Sequence, residues 1–287
     1  PLQASEKRAR GLYKLLIDQV GDAGIATEAR FELAELLAQR NEHDPAIQLL
    51  TDVLDKEPPA ELTEKVRLRL GGILGAKGNT KGALTQFNAV ASNPKSPLVG
   101  WAHYRAAEVL LQEQQTAEAI KRLTMFRDQP QWNNVAGLSD RALLKLGYAY
   151  SLLKSWDESR VAYERLVNTF PNSVWHDEAR YGIGWALQQQ KNYDAAANAY
   201  SIVTGRTATD LAAKSQLQIG LCRMEQKRYL DAANAFLVVP TTYDYYDLGA
   251  AAPLKAGNAY LALNQREQAT RQFERVVTRV AGAQIQL

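Results

Sequence analysis

The run Gly71-Gly72-Ile73-Leu74-Gly75-Ala76-Lys77-Gly78 could do chemistry, because glycine-rich loops cradle phosphates on backbone N–H groups. Its spacing is wrong for that role. GxxxxGK[ST] is not matched, and the surrounding pattern is that of a helix and its turn rather than of a strand. His176-Asp177-Glu178 comes nearest to an acid–base set, but it opens a helical pattern, where carboxylates favour the positive end of the helix dipole. His43 and the single cysteine, Cys222, read as packing residues. Neither GxSxG nor HExxH occurs, and three histidines with one cysteine leave little for a transition-metal site. The expectation is a chain with no catalytic residues, no metal site and no cofactor.

Bulk properties narrow the field further. The chain has 287 residues, 46% of them hydrophobic and 23% charged, ample for a folded, soluble protein. Mean hydropathy is −0.33. No apolar run approaches the roughly 18 residues that a membrane span needs, so any membrane association is expected to be peripheral. Lys plus Arg number 34 against 31 Asp plus Glu, and the net charge of +3 is interspersed. A phosphate-binding surface would be more basic and more clustered, so nucleic acid is not an expected partner. One cysteine forms no internal disulfide and leaves the redox compartment open.

The elements that position every side chain come from a period. Small residues recur at Ala34, Gly71, Ala107, Gly147, Gly184, Gly220 and Gly257, each in an apolar-periodic first helix. In the same register stand second small residues, Ala46, Ala83, Ala119, Ser159, Ala196, Ala232 and Ala269, and then large ones, Leu50, Phe87, Leu123, Tyr163, Tyr200, Phe236 and Phe273. One turn further come Val53, Val90, Phe126, Leu166, Val203, Val239 and Val276. Small residues let two helices approach closely, and the large ones form a buried stripe on the second. One pair cannot cover that stripe alone, so neighbouring pairs must stack. Prolines should then avoid helix interiors: Pro240 is expected between repeats and Pro45 and Pro253 in first turns.

Small residues at the eighth and twentieth positions, an aromatic at the twenty-fourth and proline near the thirty-second resemble the tetratricopeptide repeat. The match is best in SDRALLKLGYAYSLLKSWDESRVAYERLVNTFP and DEARYGIGWALQQQKNYDAAANAYSIV. Alanine replaces glycine at Ala34 and Ala107, and the motif's early tryptophan is absent. The resemblance implies an all-α, right-handed superhelical solenoid of antiparallel helix pairs, about seven and a half repeats long. Residues 1–26 would hold the second helix of a truncated repeat, and residues 27–283 the seven repeats 27–60, 64–97, 100–133, 140–173, 177–210, 213–246 and 250–283, followed by a tail, 284–287. It also implies a non-catalytic scaffold that takes a protein or an extended peptide in its concave groove. The segment from Phe170-Pro171-Asn172-Ser173 to Asp177-Glu178-Ala179-Arg180-Tyr181 is similar to inter-repeat segments of bacterial cell-envelope members, the barrel-assembly lipoprotein and the Tol–Pal-associated protein. That similarity implies a periplasmic or envelope location, with a cytoplasmic one as the alternative.

In this family the concave face is lined by first helices at the second, sixth, ninth and twelfth positions. Those positions hold Glu28, Glu32 and Glu35, then Lys65, Arg69, Trp101, Arg105, Arg141, Lys145 and Tyr148, then Trp185 and Gln188. Residues 65 to 188 of this set are the candidate partner-binding residues: a basic section with Trp101, Tyr148 and Trp185 beside it, suited to a carboxylate-bearing segment. The family's chaperone-tail clamp requires lysine at the fifth position and asparagine at the ninth. Only Asn258 meets either requirement, so that clamp is not expected.

Three irregular features remain. Ser5 to Val20 reads as a second helix without its partner, so either the chain is cut from a longer protein or its open ends are covered by a partner or by self-association. A regulatory domain of a larger enzyme and a self-assembling module are the alternative functions. The enlarged joint at Gln129–Leu138 is a loop insertion or, through Trp132, a hinge or partner contact. The segment Pro240–Leu248 carries Tyr243, Tyr245 and Tyr246, either as a binding loop or as packing between repeats.

Overall fold

A computed structural model describes residues 2–20, 23–243 and 245–284, and all regular structure among them is helical. The chain forms two compact units, Pro1–Leu138 and Ser139–Leu287, whose boundary ends the enlarged joint. The first unit holds α1 (Leu2–Gln19), α2 (Ala23–Gln39), α3 (His43–Leu54), α4 (Ala60–Ala76), α5 (Thr80–Ala91), α6 (Val99–Gln112), α7 (Thr116–Leu123) and the short α8 (Met125–Asp128). The second holds α9 (Ser139–Leu152), α10 (Trp156–Thr169), α11 (His176–Gln189), α12 (Tyr193–Arg206), α13 (Asp210–Glu225), α14 (Tyr229–Thr242), α15 (Tyr246–Ala262) and α16 (Arg266–Gln284). Within each unit consecutive helices pack on one another. Alternate first helices also touch, α2 on α4 and α4 on α6 in one unit, α9 on α11, α11 on α13 and α13 on α15 in the other. The first helices therefore make a layer of their own.

Close approach at the small residues is visible atom by atom. A Cβ added at Gly71 would stand 2.7 Å from the Phe87 ring, one at Gly147 2.6 Å from Tyr163, and one at Gly184 2.7 Å from Tyr200. Gly220 and Gly257 meet Phe236 and Phe273 in the same way. Where the small residue is alanine, at Ala34 and Ala107, the facing residue is Leu50 or Leu123, so a larger notch residue goes with a smaller plug. The second small residue closes the same crossing: the Ser159 hydroxyl donates to the Gly147 carbonyl at 2.8 Å. Phe87, Tyr200, Phe236, Leu50, Leu123 and Leu166 are fully buried.

Each turn inside a pair uses one left-handed residue: Asn41, Gly78, Gln114, Lys154, Lys191, Lys227 and Asn264, with φ between 58° and 76°. Glycine adopts this geometry freely, but lysine and glutamine do so at a cost of about 1–2 kcal/mol.

The structure corrects the expectation about proline. Pro240 and Pro253 both lie inside helices, α14 and α15. Pro240 sits in the last turn of α14, where only the helix end loses a bond. α15 begins a turn ahead of its repeat register, at Tyr246, which carries Pro253 beyond the first turn. The tyrosine segment is mostly helix for the same reason. Tyr243 is buried against Ala212 and Ala213 with Tyr245 alongside, which is packing between repeats. Asp244, the Tyr246 side chain, Pro1 and residues 285–287 lie outside the described residues. Trp132 packs on Gly100 and edge-on to Phe126, centroids 6.4 Å apart, so its ring pins the enlarged joint to its own unit.

Candidate partner-binding grooves

Two of the grooves among the described residues, one in each unit, open on the layers of first helices and draw on the same register positions. The first, of about 430 Å³, lies along α2, α4 and α6 and collects Glu35, Lys65, Arg69 and Arg105 over an apolar floor that includes Phe31 and Leu68. The second, of about 500 Å³, lies between α9 and α11 and collects Leu144, Lys145, Tyr148, Tyr163, Tyr181 and Trp185, with Glu178 and Gly182. Of the nine residues nominated from sequence, Lys65, Arg69 and Arg105 converge on the first groove, and Lys145, Tyr148 and Trp185 on the second.

The remaining three turn elsewhere. Trp101 packs edge-on against Tyr104 at 6.1 Å, and Arg141 lies over the Trp175 ring, 5.9 Å from its centroid. Gln188 accepts a hydrogen bond from the Tyr200 hydroxyl at 2.8 Å, which commits it to the core edge.

In the first groove each cation already has an acid. Arg69 Nε is 2.7 Å from Glu35, Lys65 Nζ 2.6 Å from Glu61 and Arg105 Nη1 2.9 Å from Glu108. Burial holds the Glu35 carboxyl above the usual carboxylate range even though Arg69 opposes the shift, and Glu32 adds to it. A carboxylate-bearing ligand would have to compete with these built-in partners, so the basic section read from sequence is largely self-neutralised.

The second groove has a different floor. A Cβ at Gly182 would collide with the Tyr163 ring from one side, as one at Gly147 would from the other, so the ring is clasped between two glycines. At the register position of Gly182 the other copies carry Glu32, Arg69, Arg105, Lys145, Gln218 and Lys255, all long and polar. Only this repeat clears the position. Tyr163 is 7% exposed, and burial raises its phenol above the ordinary range. Tyr181, tilted against Tyr200 at 5.3 Å and reached by Gln218 from α13, forms one wall. Tyr148 and Trp185 share one register position in successive repeats and remain 49% and 37% exposed.

Gly182, Glu178 and Tyr181 were not nominated from sequence. A signal for Gly182 was present, since it breaks an otherwise polar register. In sequence Glu178 stands with its neighbours as a helix-opening carboxylate. Asp177 keeps that role, 2.7 Å from Arg206 Nε at the end of α12, beside the buried His176. Cys222 is fully buried against Ala196, Ala197 and Tyr200, with its thiol pushed up to about 11 by burial. The glycine-rich run lies in α4 and its turn. Among the described residues no three His, Cys, Asp or Glu side chains gather as a metal site, and no helix is long and apolar enough to cross a membrane.

Comparison with known proteins bears on the fold. A tetratricopeptide repeat-like domain model matches residues 2–95, and tetratricopeptide repeat models match 141–173 and 181–246, together more than half of the chain. None of the curated proteins compared matches it. Among solved structures, a tetratricopeptide repeat protein from Parabacteroides merdae is similar, with a TM-score of 0.59 and 17% identity over 88% of this chain and 92% of that one. The apo form of RapI gives 0.68 and 11% identity over 97% and 81%. A signal-transduction ATPase with a tetratricopeptide repeat sensor, from Pyrococcus horikoshii, gives 0.64 and 12% over 98% and 48%. At these identities the structural likeness speaks to fold alone. The register, the helix pairs and the three family models together make this chain a member of the tetratricopeptide-repeat proteins.

Proposed function

We propose that this protein is a non-catalytic interaction scaffold whose recognition site is the aromatic groove between α9 and α11. Tetratricopeptide repeats act as protein-interaction modules, and the observation that favours this groove is the pair Tyr148 and Trp185, half-exposed at one register position above the Gly182 notch. Exposed aromatic rings over a desolvated floor are the usual carriers of interface energy. The charged groove of the first unit is the weaker candidate because its cations are already engaged. The partner feature expected at the site is an extended segment presenting an apolar or aromatic anchor.

Selection from a phage-displayed peptide library on the intact chain tests this reading. Selected sequences should share an aliphatic or aromatic anchor and lose binding to Trp185→Ala. Sequences dominated by Asp and Glu that bind Trp185→Ala unchanged would move the site to the first unit. A setting in the bacterial cell envelope is part of the proposal, supported by the Phe170–Tyr181 segment. Fractionation of the source cells checks it, with recovery in the cytosol alone as the contrary outcome.

A further inference from the structure

Tyr148 and Trp185 are two rungs of a ladder. On α13, which touches α11, the same register position holds Leu221, partly buried. Elsewhere that position carries Glu35, Gly72, Glu108 and Asn258, so repeat packing does not call for rings there. Helices in contact lie about 8–10 Å apart, which sets the distance between rungs. Both rings also present a polar tip: neither the Tyr148 hydroxyl nor the Trp185 indole N–H has a hydrogen-bond partner among the described residues. Lys145 and Glu178 line the groove with opposite charges, so no net charge selects an acidic or a basic segment.

Rung spacing and open donors together select the backbone of the occupant. A polyproline II segment turns once in three residues and rises about 3.1 Å per residue, so every third side chain falls on one side at about 9.3 Å. A β-strand repeats its face at about 6.6 Å and misses the second rung. An α-helix returns to its face after seven residues, about 10.5 Å, but its carbonyls are bonded within the helix and leave the two donors unmet. Polyproline II leaves every carbonyl open. Given recognition at the α9/α11 groove, on which this step rests, we infer that the occupant is a proline-rich segment of a partner protein in the polyproline II conformation. Every third residue places an apolar side chain or a proline ring over Tyr148, Trp185 and Leu221, and the two aromatic tips donate to its carbonyls. The clearing at Gly182 keeps the trough between the first two rungs free of the long polar side chain that other repeats carry there.

The test is anisotropy on the full chain with three fluorescein-labelled peptides. One repeats Leu-Pro-Pro, and a second has the same composition with its leucines at alternate positions. The third is an alanine-rich helix with leucine at the first and fourth places of each heptad. The Leu-Pro-Pro peptide should bind at least about fivefold tighter than either of the others. Trp185→Ala should weaken it about tenfold or more, and Trp185→Phe, which keeps a ring but removes the N–H, about three- to tenfold. Circular dichroism establishes that each variant is folded. No binding of Leu-Pro-Pro, equal affinity for the alternate-leucine peptide, preference for the helix, or full affinity in Trp185→Phe would each overturn the inference. Library-selected peptides judge the site itself. If they are lost with Trp185→Ala while Leu-Pro-Pro fails to bind, the groove stands and only the polyproline II occupant falls. If they are indifferent to Trp185→Ala, both fall.

Discussion

The α2/α4/α6 face of the first unit and the α9/α11 face of the second begin from the same register and end as different surfaces. One sets Glu35 against Arg69 at 2.7 Å across neighbouring repeats, and its surplus charge is spent within the molecule. The other removes the long side chain at position 182, exposes the edge of a buried ring and leaves Tyr148 and Trp185 standing over it. The lesson is that register fixes where a side chain points but not whether it is available. Availability depends on what the neighbouring repeat offers. The same contrast runs through the helix crossings, where the first unit uses Ala34/Leu50 and Ala107/Leu123 beside Gly71/Phe87, and the second uses glycine with a ring throughout.

Breaking a crossing should give the largest effect. Gly220→Ala gains helix propensity of about 1 kcal/mol, but its methyl enters the Phe236 ring, and overpacking of this kind costs about 1–3 kcal/mol. Thermal unfolding should show net destabilisation. Gly220→Ala/Phe236→Leu, which rebuilds the alanine–leucine crossing of the first unit, should recover at least about 1 kcal/mol of the summed single losses. Strict additivity would mean that the two residues do not form one notch and plug.

Arg69→Glu probes the charged face of the first unit. Placing a third carboxylate beside Glu35 and Glu32 should lower the melting temperature, by an amount corresponding to roughly 1–2 kcal/mol, while ligand binding at the α9/α11 groove stays intact. Loss of binding with stability preserved would reverse the roles assigned to the two faces.

A pH effect belongs to the first unit. His103 is held below its ordinary pKa by burial and by Arg122, whose Nη1 is 3.4 Å from Nδ1. A lowered folded-state value means that the unfolded chain takes up the proton more readily. The associated stability is present above the ordinary histidine value of about 6.5 and is lost as pH falls through the lowered one. His103→Gln should therefore lose less stability than the parent between pH 7 and 5 in urea titrations, and an identical pH slope would contradict the assignment.

Much of the fold is legible in the sequence because the notch–plug register is local and repeated: Gly147 with Tyr163 and Gly184 with Tyr200 are visible as spacing alone. The prolines are not, because whether Pro253 lies inside a helix depends on where α15 starts, and its start at Tyr246 precedes the repeat register. Pairing of the basic section is only partly legible. Lys65–Glu61 and Arg105–Glu108 lie within one helix, but Arg69–Glu35 joins two repeats and needs the structure. Turn geometry is similarly hidden, since lysine at 154, 191 and 227 gives no sign of a left-handed backbone. The smallest predicted effect follows from it: Lys191→Gly should stabilise the chain by about 1 kcal/mol, read as a raised urea midpoint, and a lowered midpoint would refute it.

Recognition through the aromatic face is tested most directly by calorimetric titration of one library-selected peptide into three proteins. Tyr148→Ala/Trp185→Ala should weaken binding by about 30-fold or more, whereas Arg69→Gln/Arg105→Gln should stay within about threefold of the parent. The opposite order, with the arginine pair losing the peptide and the aromatic pair keeping it, would place recognition on the charged face instead.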